Sequence, residues 1–252
     1  MAETLLEVRD LVLRFGGITA LGGVGLSIAE GETVAVIGPN GSGKTSLFNC
    51  ITGLYHPTSG AVAFRGESLL GLSPDRVTAR GLARTFQNLR LFLHMTVLDN
   101  LMLGRHLHFR RSLWAAALRL RGEEVRHRER CEEIVEFLDL EPWRDQRIAN
   151  CPYGVQKRVE LGRALATEPR LLLLDEPVAG LTHEEKDEVS YWIHEVRGRF
   201  QVTVLLVEHD LRVASRLAGR MVVLDHGVKL TEGTPEEVQK HPGVVRAYLG
   251  DQ

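Results

Sequence analysis

Short apolar runs recur toward both ends of the 252-residue chain, and polar or glycine-rich segments bound each of them. The stretch LLEVRDLVLRF (5–15) alternates apolar and polar residues, which predicts a strand. The runs TVAVI (33–37) and LLLLD (171–175) are almost uninterrupted, and such runs favour strands buried on both faces. VTVLLVE (202–208) has the same character and predicts another strand.

The middle of the chain has a different period. From about Leu89 to Leu140 the apolar residues recur at helical spacing. SLFNCITGL (46–54) and EEKDEVSYWIHEVRGRF (184–200) predict further helices. The residues predicted to share one face of the helix in RERCEEIVEFLDL are Cys131, Ile134, Val135 and Leu138.

The last part of the chain returns to strands. RMVVLDHGVKLTEGTP (220–235) predicts a hairpin that turns at His226 and Gly227, and a helical tail follows it. The whole pattern predicts the α/β class: a mixed sheet core with an antiparallel β subdomain, split by an all-helical insert.

Composition excludes several classes of function. The net charge of −2 indicates no general attraction to nucleic acid. Cys50, Cys131 and Cys151 have no metal-site spacing, so we expect small buried residues. The charged N-terminus does not resemble a signal peptide, and no apolar run is long enough to span a bilayer. Any role at a membrane must therefore come through a partner.

The segment GPNGSGKT fits the pattern G-x-x-x-x-G-K-[ST], and it stands between a predicted strand and a predicted helix. Its glycines let backbone N–H groups surround phosphate oxygens, and the helix N-terminus adds positive charge. Lys44 is expected to reach the outer phosphates, and Thr45 to offer its hydroxyl to Mg²⁺. The predicted phosphate-binding residues are Gly38, Pro39, Asn40, Gly41, Ser42, Gly43, Lys44, Thr45 and Ser46.

A second acidic motif, LLLLDEP, ends a predicted buried strand. Asp175 is expected to hold Mg²⁺ through water, and Glu176 to polarise the attacking water. Adjacent acids at a strand end can also be solvated turn residues. Their combination with a phosphate-binding loop favours a metal and catalytic site.

With GPNGSGKT, CPYGVQKR and LLLLDEPVAGL in this order and spacing, the chain resembles an ATP-binding-cassette (ABC) ATPase along nearly its whole length. The resemblance implies that Phe15 stacks on adenine, that Gln87 senses Mg²⁺ and the γ-phosphate, and that His209 contacts the γ-phosphate. It makes Glu176, His209 and Gln87 the catalytic group, with Thr45, Gln87 and Asp175 around Mg²⁺.

The resemblance also implies one ABC ATPase domain over residues 1–252. Its nucleotide-binding core comprises 1–88 and 159–230, its helical subdomain with the signature motif 89–158, and its C-terminal tail 231–252.

Other segments narrow the resemblance. LFNCITGLYHPTSG, GLARTFQNLRLFLHMTVLDNLMLGRH and EGTPEEVQKHPGVVRAYLGD are similar to the cassettes of branched-chain amino-acid importers (LivG-like subunits). The implied function is that of an ATP-hydrolysing energy-coupling subunit that uses ATP and Mg²⁺. Its partners would be a second cassette, in a homo- or heterodimer, and transmembrane permease subunits that hold it peripherally at the cytoplasmic face of the membrane. The alternatives are a cassette for urea or for lipopolysaccharide export, or a soluble ABC protein outside transport.

The signature departs from the usual Leu-Ser-Gly-Gly-Gln, which contacts the partner cassette's ATP. Pro152 replaces the serine and Val155 the glutamine, while Tyr153 and Gly154 stand between them. Gly154 can still offer its N–H, and the helix that follows can point its positive end at a phosphate. We therefore expect a working ATPase with a weakened ATP-bound dimer. Thr182, where the family usually has Asp or Asn, is a second departure.

Two further segments could touch partners. Residues 104–130 are rich in arginine, and they predict either a solvated helix face or an amphipathic surface helix facing anionic headgroups. The residues of that candidate helix are Arg110, Arg111, Trp114, Leu118 and Arg121. NLRLFLHMTVLDN (88–100) is apolar and lies beside Gln87, so it predicts either a docking site for a membrane subunit or core of the helical insert.

Overall fold

The computed structural model of the protein describes residues 3–109 and 121–249. Its strands are β1 (Thr4–Phe15), β2 (Ile18–Ala29), β3 (Thr33–Ile37), β4 (Ser59–Phe64), β5 (Glu67–Ser68), β6 (Leu82–Arg84), β7 (Leu171–Asp175), β8 (Thr203–Glu208), β9 (Arg220–Asp225) and β10 (Val228–Gly233). One sheet has the order β10-β9-β3-β8-β7-β6 and is parallel except for the β9-β10 pair. The other has the order β2-β1-β4-β5 and is antiparallel. The predicted α/β class, with mixed and antiparallel sheets, is confirmed.

The uninterrupted apolar runs form the centre of the larger sheet. Every residue of β3, β7 and β8 is buried, as the sequence pattern predicts. Alternate residues enter two core clusters: Leu172 and Leu174 of β7 join one, and Leu171 and Leu173 join the other. The sheet is therefore covered on both faces, and its strand ends are held rigidly.

The described helices are α1 (Lys44–Ile51), α2 (Pro74–Ala79), α3 (Val97–Gly104), α4 (Arg121–Phe137), α5 (Tyr153–Leu165), α6 (His183–Phe200), α7 (Leu211–Leu217), α8 (Pro235–Lys240) and α9 (Pro242–Leu249). Short 3₁₀ turns are Arg105–His108, Glu141–Trp143 and Ile148–Asn150. A capping box of Thr96 and Asp99 begins α3. The predicted apolar face of α4 is confirmed, because Cys131, Ile134 and Val135 are buried there.

The predicted hairpin is confirmed as β9-β10. His226 and Gly227 both have positive φ, 43° and 79°, which suits a tight turn between antiparallel strands. The Gly227 N–H donates to the Ser42 carbonyl (3.1 Å), and its carbonyl accepts from Gly22 (2.8 Å). The hairpin turn thus supports the glycine-rich loop from behind.

The three cysteines are buried thiols, as expected. Burial raises the pKa of Cys50 and of Cys131 to about 11, so neither is a reactive thiolate near neutral pH. None of the helices within residues 3–109 and 121–249 has the length and apolar character needed to cross a bilayer.

Some predictions concern residues that lie beyond these observations. Arg110, Arg111, Trp114 and Leu118 fall outside the described residues, and the side chain of Arg121 is not described either. The predicted boundaries within the domain stay a prediction, and α5 runs unbroken through the one at 158/159.

Candidate nucleotide-binding site

The glycine-rich loop connects β3 to α1, and two of its glycines are required by their surroundings. Gly38 and Gly43 have φ of 153° and 102°. A Cβ on Gly38 would lie 2.1 Å from the Leu224 carbonyl oxygen, and one on Gly43 would lie 2.8 Å from the Ala20 carbonyl oxygen. The loop backbone, the phosphate cradle, is therefore packed too closely against other backbone segments to admit a side chain at either position.

The cradle is electropositive. α1 begins after Gly43 with no side-chain cap and no acidic residue in its first turn, so its N-terminal N–H groups face the loop. The Lys44 ammonium donates to the carbonyls of Gly38 (2.7 Å) and Pro39 (2.9 Å). Burial lowers the pKa of Lys44, and the nearby Glu176 carboxylate acts in the opposite direction. Such a loop fits a phosphate group.

Asp175 stands at the end of β7, almost fully buried. Its Oδ2 accepts from Nη2 of Arg84 at 2.7 Å, and its amide donates to the Thr85 hydroxyl (3.4 Å). Thr45 is the exposed second residue of α1. The hydroxyl of Thr45, the Asp175 carboxylate and the Gln87 amide are the hard oxygen donors that Mg²⁺ prefers, so these residues fit the metal.

The structure brings together the three residues predicted to be catalytic. Gln87 Nε2 donates to Glu176 Oε2 at 2.9 Å, and His209 Nδ1 lies 3.6 Å from Glu176 Oε1. Glu176 follows β7 with a φ of 46°, and its amide donates to the Val207 carbonyl of β8. These contacts place the carboxylate of Glu176 between a loop after β6 and the end of β8.

Sequence reasoning missed Glu208, the last residue of β8. It is buried, and burial raises the pKa of its carboxyl to about 7. Within the described part of the chain, its Oε1 has no hydrogen-bond partner. The signal was present in LLVEHD, where an acid ends an otherwise apolar run.

Phe15 lies at the end of β1 with its ring half exposed, as a stacking surface requires. Its ring meets Tyr55 edge to face, with centroids 5.3 Å apart. Tyr55 was not predicted, and its exposed ring extends the aromatic surface that Phe15 offers.

The signature residues lie at the start of α5 and differ in how far their side chains are exposed. Tyr153 is 41% exposed, and Pro152 is the N-cap without a side-chain hydrogen bond. Val155 is 5% exposed and packs in the core, so its side chain does not face outward as the alignment with the signature suggested. The position is apolar because its neighbours in the helical part are apolar.

Gly154 faces a carboxylate of its own chain. A Cβ on Gly154 would lie 2.7 Å from Glu185 Oε1, and Tyr153 lies against Gly180. Thr182 caps α6 in a capping box with Glu185. The Thr182 amide and hydroxyl, and after them the Gly154 amide, hold the pKa of Glu185 below its usual value. Thr182 therefore fixes the start of α6 through contacts within its own chain.

The signature helix also holds the loop that carries Gln87. The buried Lys157 ammonium donates to the Gln87 carbonyl at 3.3 Å, and Glu160 Oε1 accepts from the Phe86 amide at 3.3 Å. Because both side chains belong to α5, a movement of that helix would be passed to Gln87.

A cavity of about 430 Å³ lies between β6 and the helical part, next to this loop. Its lining includes Arg84, Phe86, Phe92, Leu103, Glu160 and Arg163. Phe92 and Leu93 are exposed by more than half, whereas Val97 and Leu98 are buried core residues. The segment 88–100 thus contributes to both a surface groove and the core.

The cradle, the Asp175–Glu176 pair and the signature helix together define an ATP-binding cassette. The family model described as "ABC transporter" matches residues 21–179, and the chain belongs to this family of ATPases. A second model, described as "Branched-chain amino acid ATP-binding cassette transporter", matches residues 228–252.

Individual relatives agree with this assignment. The "High-affinity branched-chain amino acid transport ATP-binding protein BraF" of Pseudomonas aeruginosa is 39% identical over 254 residues, covering 100% of both chains. The crystal structure of the ADP conformation of MJ1267, "an ATP-binding cassette of an ABC transporter", matches with a TM-score of 0.86 and 31% identity, over 98% of this chain and 99% of that one. A dimeric post-hydrolysis structure of the cassette MJ0796 bound to ADP and Pi matches with a TM-score of 0.77 and 27% identity, over 92% and 99%.

Proposed function

We propose that this ATPase is the energy-coupling subunit of a membrane importer for branched-chain amino acids. The observation that carries the cargo class is the match of residues 228–252 to the model of branched-chain amino-acid cassettes, together with the full-length similarity to BraF. The phosphate cradle and the Glu176 cluster supply the ATPase chemistry.

In this proposal, the chain's residues divide the work of hydrolysis. The loop from Gly38 to Ser46 binds the phosphates, and Phe15 stacks on the adenine. Glu176 orients and polarises the attacking water, while Gln87 and His209 hold the carboxylate and meet the γ-phosphate. Thr45, Gln87 and Asp175, the last through water, would hold Mg²⁺, which neutralises charge developing on the phosphate oxygens.

Two cassettes are proposed to pack head to tail, so that each ATP lies between the loop of one chain and the signature of the other. The dimeric MJ0796 cassette supports such an assembly. Pro152, Tyr153 and Gly154 would meet the second ATP through backbone groups and the positive end of α5. Val155 would support this surface from the core.

The groove beside Gln87 is the proposed docking site for a permease subunit. Exposed Phe92 lines a cavity whose wall also includes Glu160, the residue that accepts from the Phe86 amide, and the next residue, Leu93, is exposed as well. An occupant would therefore contact the elements that position Gln87. This docking would hold the cassette peripherally at the cytoplasmic face of the membrane.

Transport by the isolated native complex tests the cargo. The complex, captured through a tagged cassette and reconstituted in vesicles, is expected to accumulate radiolabelled leucine, isoleucine or valine with ATP. The same complex carrying Glu176→Gln is the control and should not. Uptake of urea, extraction of lipopolysaccharide, or capture of the cassette without any membrane subunit would contradict the proposal.

Cross-linking tests the docking site separately. Single cysteines at Phe92 and Leu93, and others across 88–100, should cross-link to a permease subunit, whereas a cysteine at exposed Tyr191 on α6 should not. Failure at every position from 88 to 100, in both nucleotide states, would refute the site.

A further inference from the structure

Arg84 lies at the centre of a bonded group, and the motifs above assign it no role. It ends β6, which pairs in parallel with β7, so that Arg84 stands opposite Leu173. Its Nη2 reaches forward to Oδ2 of Asp175 at 2.7 Å. The two side chains are 7% and 5% exposed, so this ion pair is buried.

The other side of the same guanidinium binds the helix that follows the phosphate cradle. Nη1 donates to Asn49 Oδ1 at 2.7 Å and to Thr52 Oγ1 at 3.3 Å. The rings of Phe48 and Phe86 lie 5.5 and 5.0 Å from the guanidinium carbon. Arg84 therefore joins α1, which carries Lys44 and Thr45, to the strand that carries Asp175.

We propose that Arg84 is a positioning residue that sets the Mg²⁺ affinity of the nucleotide site. By holding Oδ2 of Asp175, it fixes the plane of the carboxylate relative to Thr45, and leaves Oδ1 for the metal's water. The hydrogen bond and ion pair with Arg84 are both made to Oδ2. The inference rests on the proposed metal roles of Asp175 and Thr45.

The chemistry of arginine is required for this arrangement. A planar guanidinium presents separate N–H groups in fixed directions, so it can bind Asp175 with one edge and Asn49 with another. A lysine ammonium is a compact point charge and lacks the rigid planar fork that fixes both bonds in direction. A buried ion pair is a weak source of stability compared with apolar packing, so stability alone does not account for the pair.

The test is a Mg²⁺ titration of the purified full-length chain at fixed ATP, followed by the thermal unfolding midpoint, because bound metal–nucleotide stabilises the folded state. Arg84→Gln should raise the half-saturating Mg²⁺ concentration about tenfold or more, the size of effect typical of residues that orient metal ligands. In EDTA, where no Mg²⁺ is free, the apparent ATP affinity of Arg84→Gln should stay within about twofold of the wild-type value, as measured by the same stabilisation. Arg84→Lys should fall between wild type and Arg84→Gln.

A matched control lies at the other end of β7, the strand that carries Asp175. Arg170, just before β7, pairs with Glu30 at 3.2 Å on the surface, so Arg170→Gln should titrate like wild type. An unchanged Mg²⁺ midpoint in Arg84→Gln, or an equal loss of affinity in EDTA, would overturn the proposal. If Arg84→Gln does not fold, Arg84→Lys decides, and a wild-type midpoint in that variant refutes the idea. Should Asp175→Asn also titrate like wild type, the fault lies in the assignment of Asp175 instead.

Discussion

Two surfaces of this cassette are proposed to face phosphate groups, and they are built differently. At the carboxyl end of the large sheet, side chains from three elements converge: Lys44 of α1, Asp175 and Glu176 at the end of β7, and His209 after β8. At the start of α5, the signature offers mainly backbone groups, and the carboxylate of Glu185 already stands beside Gly154.

The two surfaces differ in how firmly they are anchored and in which groups they offer. The strand ends are anchored by strands that are buried along their whole length, so charged groups can be held close together there. The signature is a helix end beside an exposed loop, and in the proposed contact with ATP it would depend on the helix dipole and N–H groups. Variants that remove groups should therefore have large effects at the first surface and smaller effects at the second.

The largest effect is expected at Glu176. Glu176→Gln should lower the ATPase rate of the assembled complex by about 10²–10⁴-fold, since it removes the base that polarises water. ATP binding should persist, because the cradle is untouched, and the ATP-bound dimer should accumulate. Steady-state hydrolysis and nucleotide binding measure the two effects, and Lys44→Ala, which should lose binding, is the contrasting control. An undiminished rate would remove Glu176 from the mechanism.

Glu208 should make the stability of the folded chain depend on pH. Its pKa rises from 4.5 to about 7 on folding, so the folded state binds more protons than the unfolded state between these values. Stability should therefore fall as pH rises through this window, by up to ~3 kcal/mol from this group.

Glu208→Gln should abolish that part of the loss. Urea unfolding at about pH 5 and about pH 8 checks it, with the variant gaining on wild type at the higher pH. A parallel pH dependence in the two proteins would show that Glu208 is not the responsible group.

At the signature, Pro152→Ser should strengthen the weaker surface. A serine hydroxyl adds one charge-assisted hydrogen bond at each of the two ATPs, and losing the pre-set backbone of proline offsets part of this gain. We expect the ATP-driven dimer to tighten about tenfold or more. The monomer–dimer equilibrium in the Glu176→Gln background measures it without interference from hydrolysis. A dimer that is unchanged or weaker would mean that Pro152 does not weaken the ATP-bound dimer of the natural chain.

Val155→Gln should lower stability, although it restores the residue of the usual signature. Because Val155 is 5% exposed, the substitution buries an amide and should cost about 1–3 kcal/mol of stability rather than add a contact. Chemical denaturation of the monomer checks this. Full stability with a tighter dimer would show that the side chain turns outward on assembly.

The smallest effect is expected at Thr182. Thr182→Ala removes the cap of α6 and should lower stability by about 1 kcal/mol. Thr182→Asn keeps a capping side chain and serves as the control. Equal stability of the alanine and asparagine variants would mean that the capping box contributes nothing.

Much of the fold could be predicted because the period of the apolar residues differs between elements. TVAVI predicts a buried strand and forms β3 with the same bounds, and the face of α4 follows from residues spaced three and four apart. The turn at His226 and Gly227 follows from local chemistry. The boundaries predicted within the domain stay a prediction, and α5 is continuous from Tyr153 to Leu165 across one of them.

The sequence by itself determined which groups are available: a glycine loop that admits phosphates, an acidic pair at a strand end, and a signature without its usual hydroxyl. These are properties of residue type and local backbone, and they need no distant neighbour. Only the tertiary structure decided that Arg84 holds Asp175, that Val155 is buried, and that Glu185 stands beside Gly154. Each of these contacts joins residues far apart in the chain, or depends on which side of a helix meets the core, so packing alone sets them.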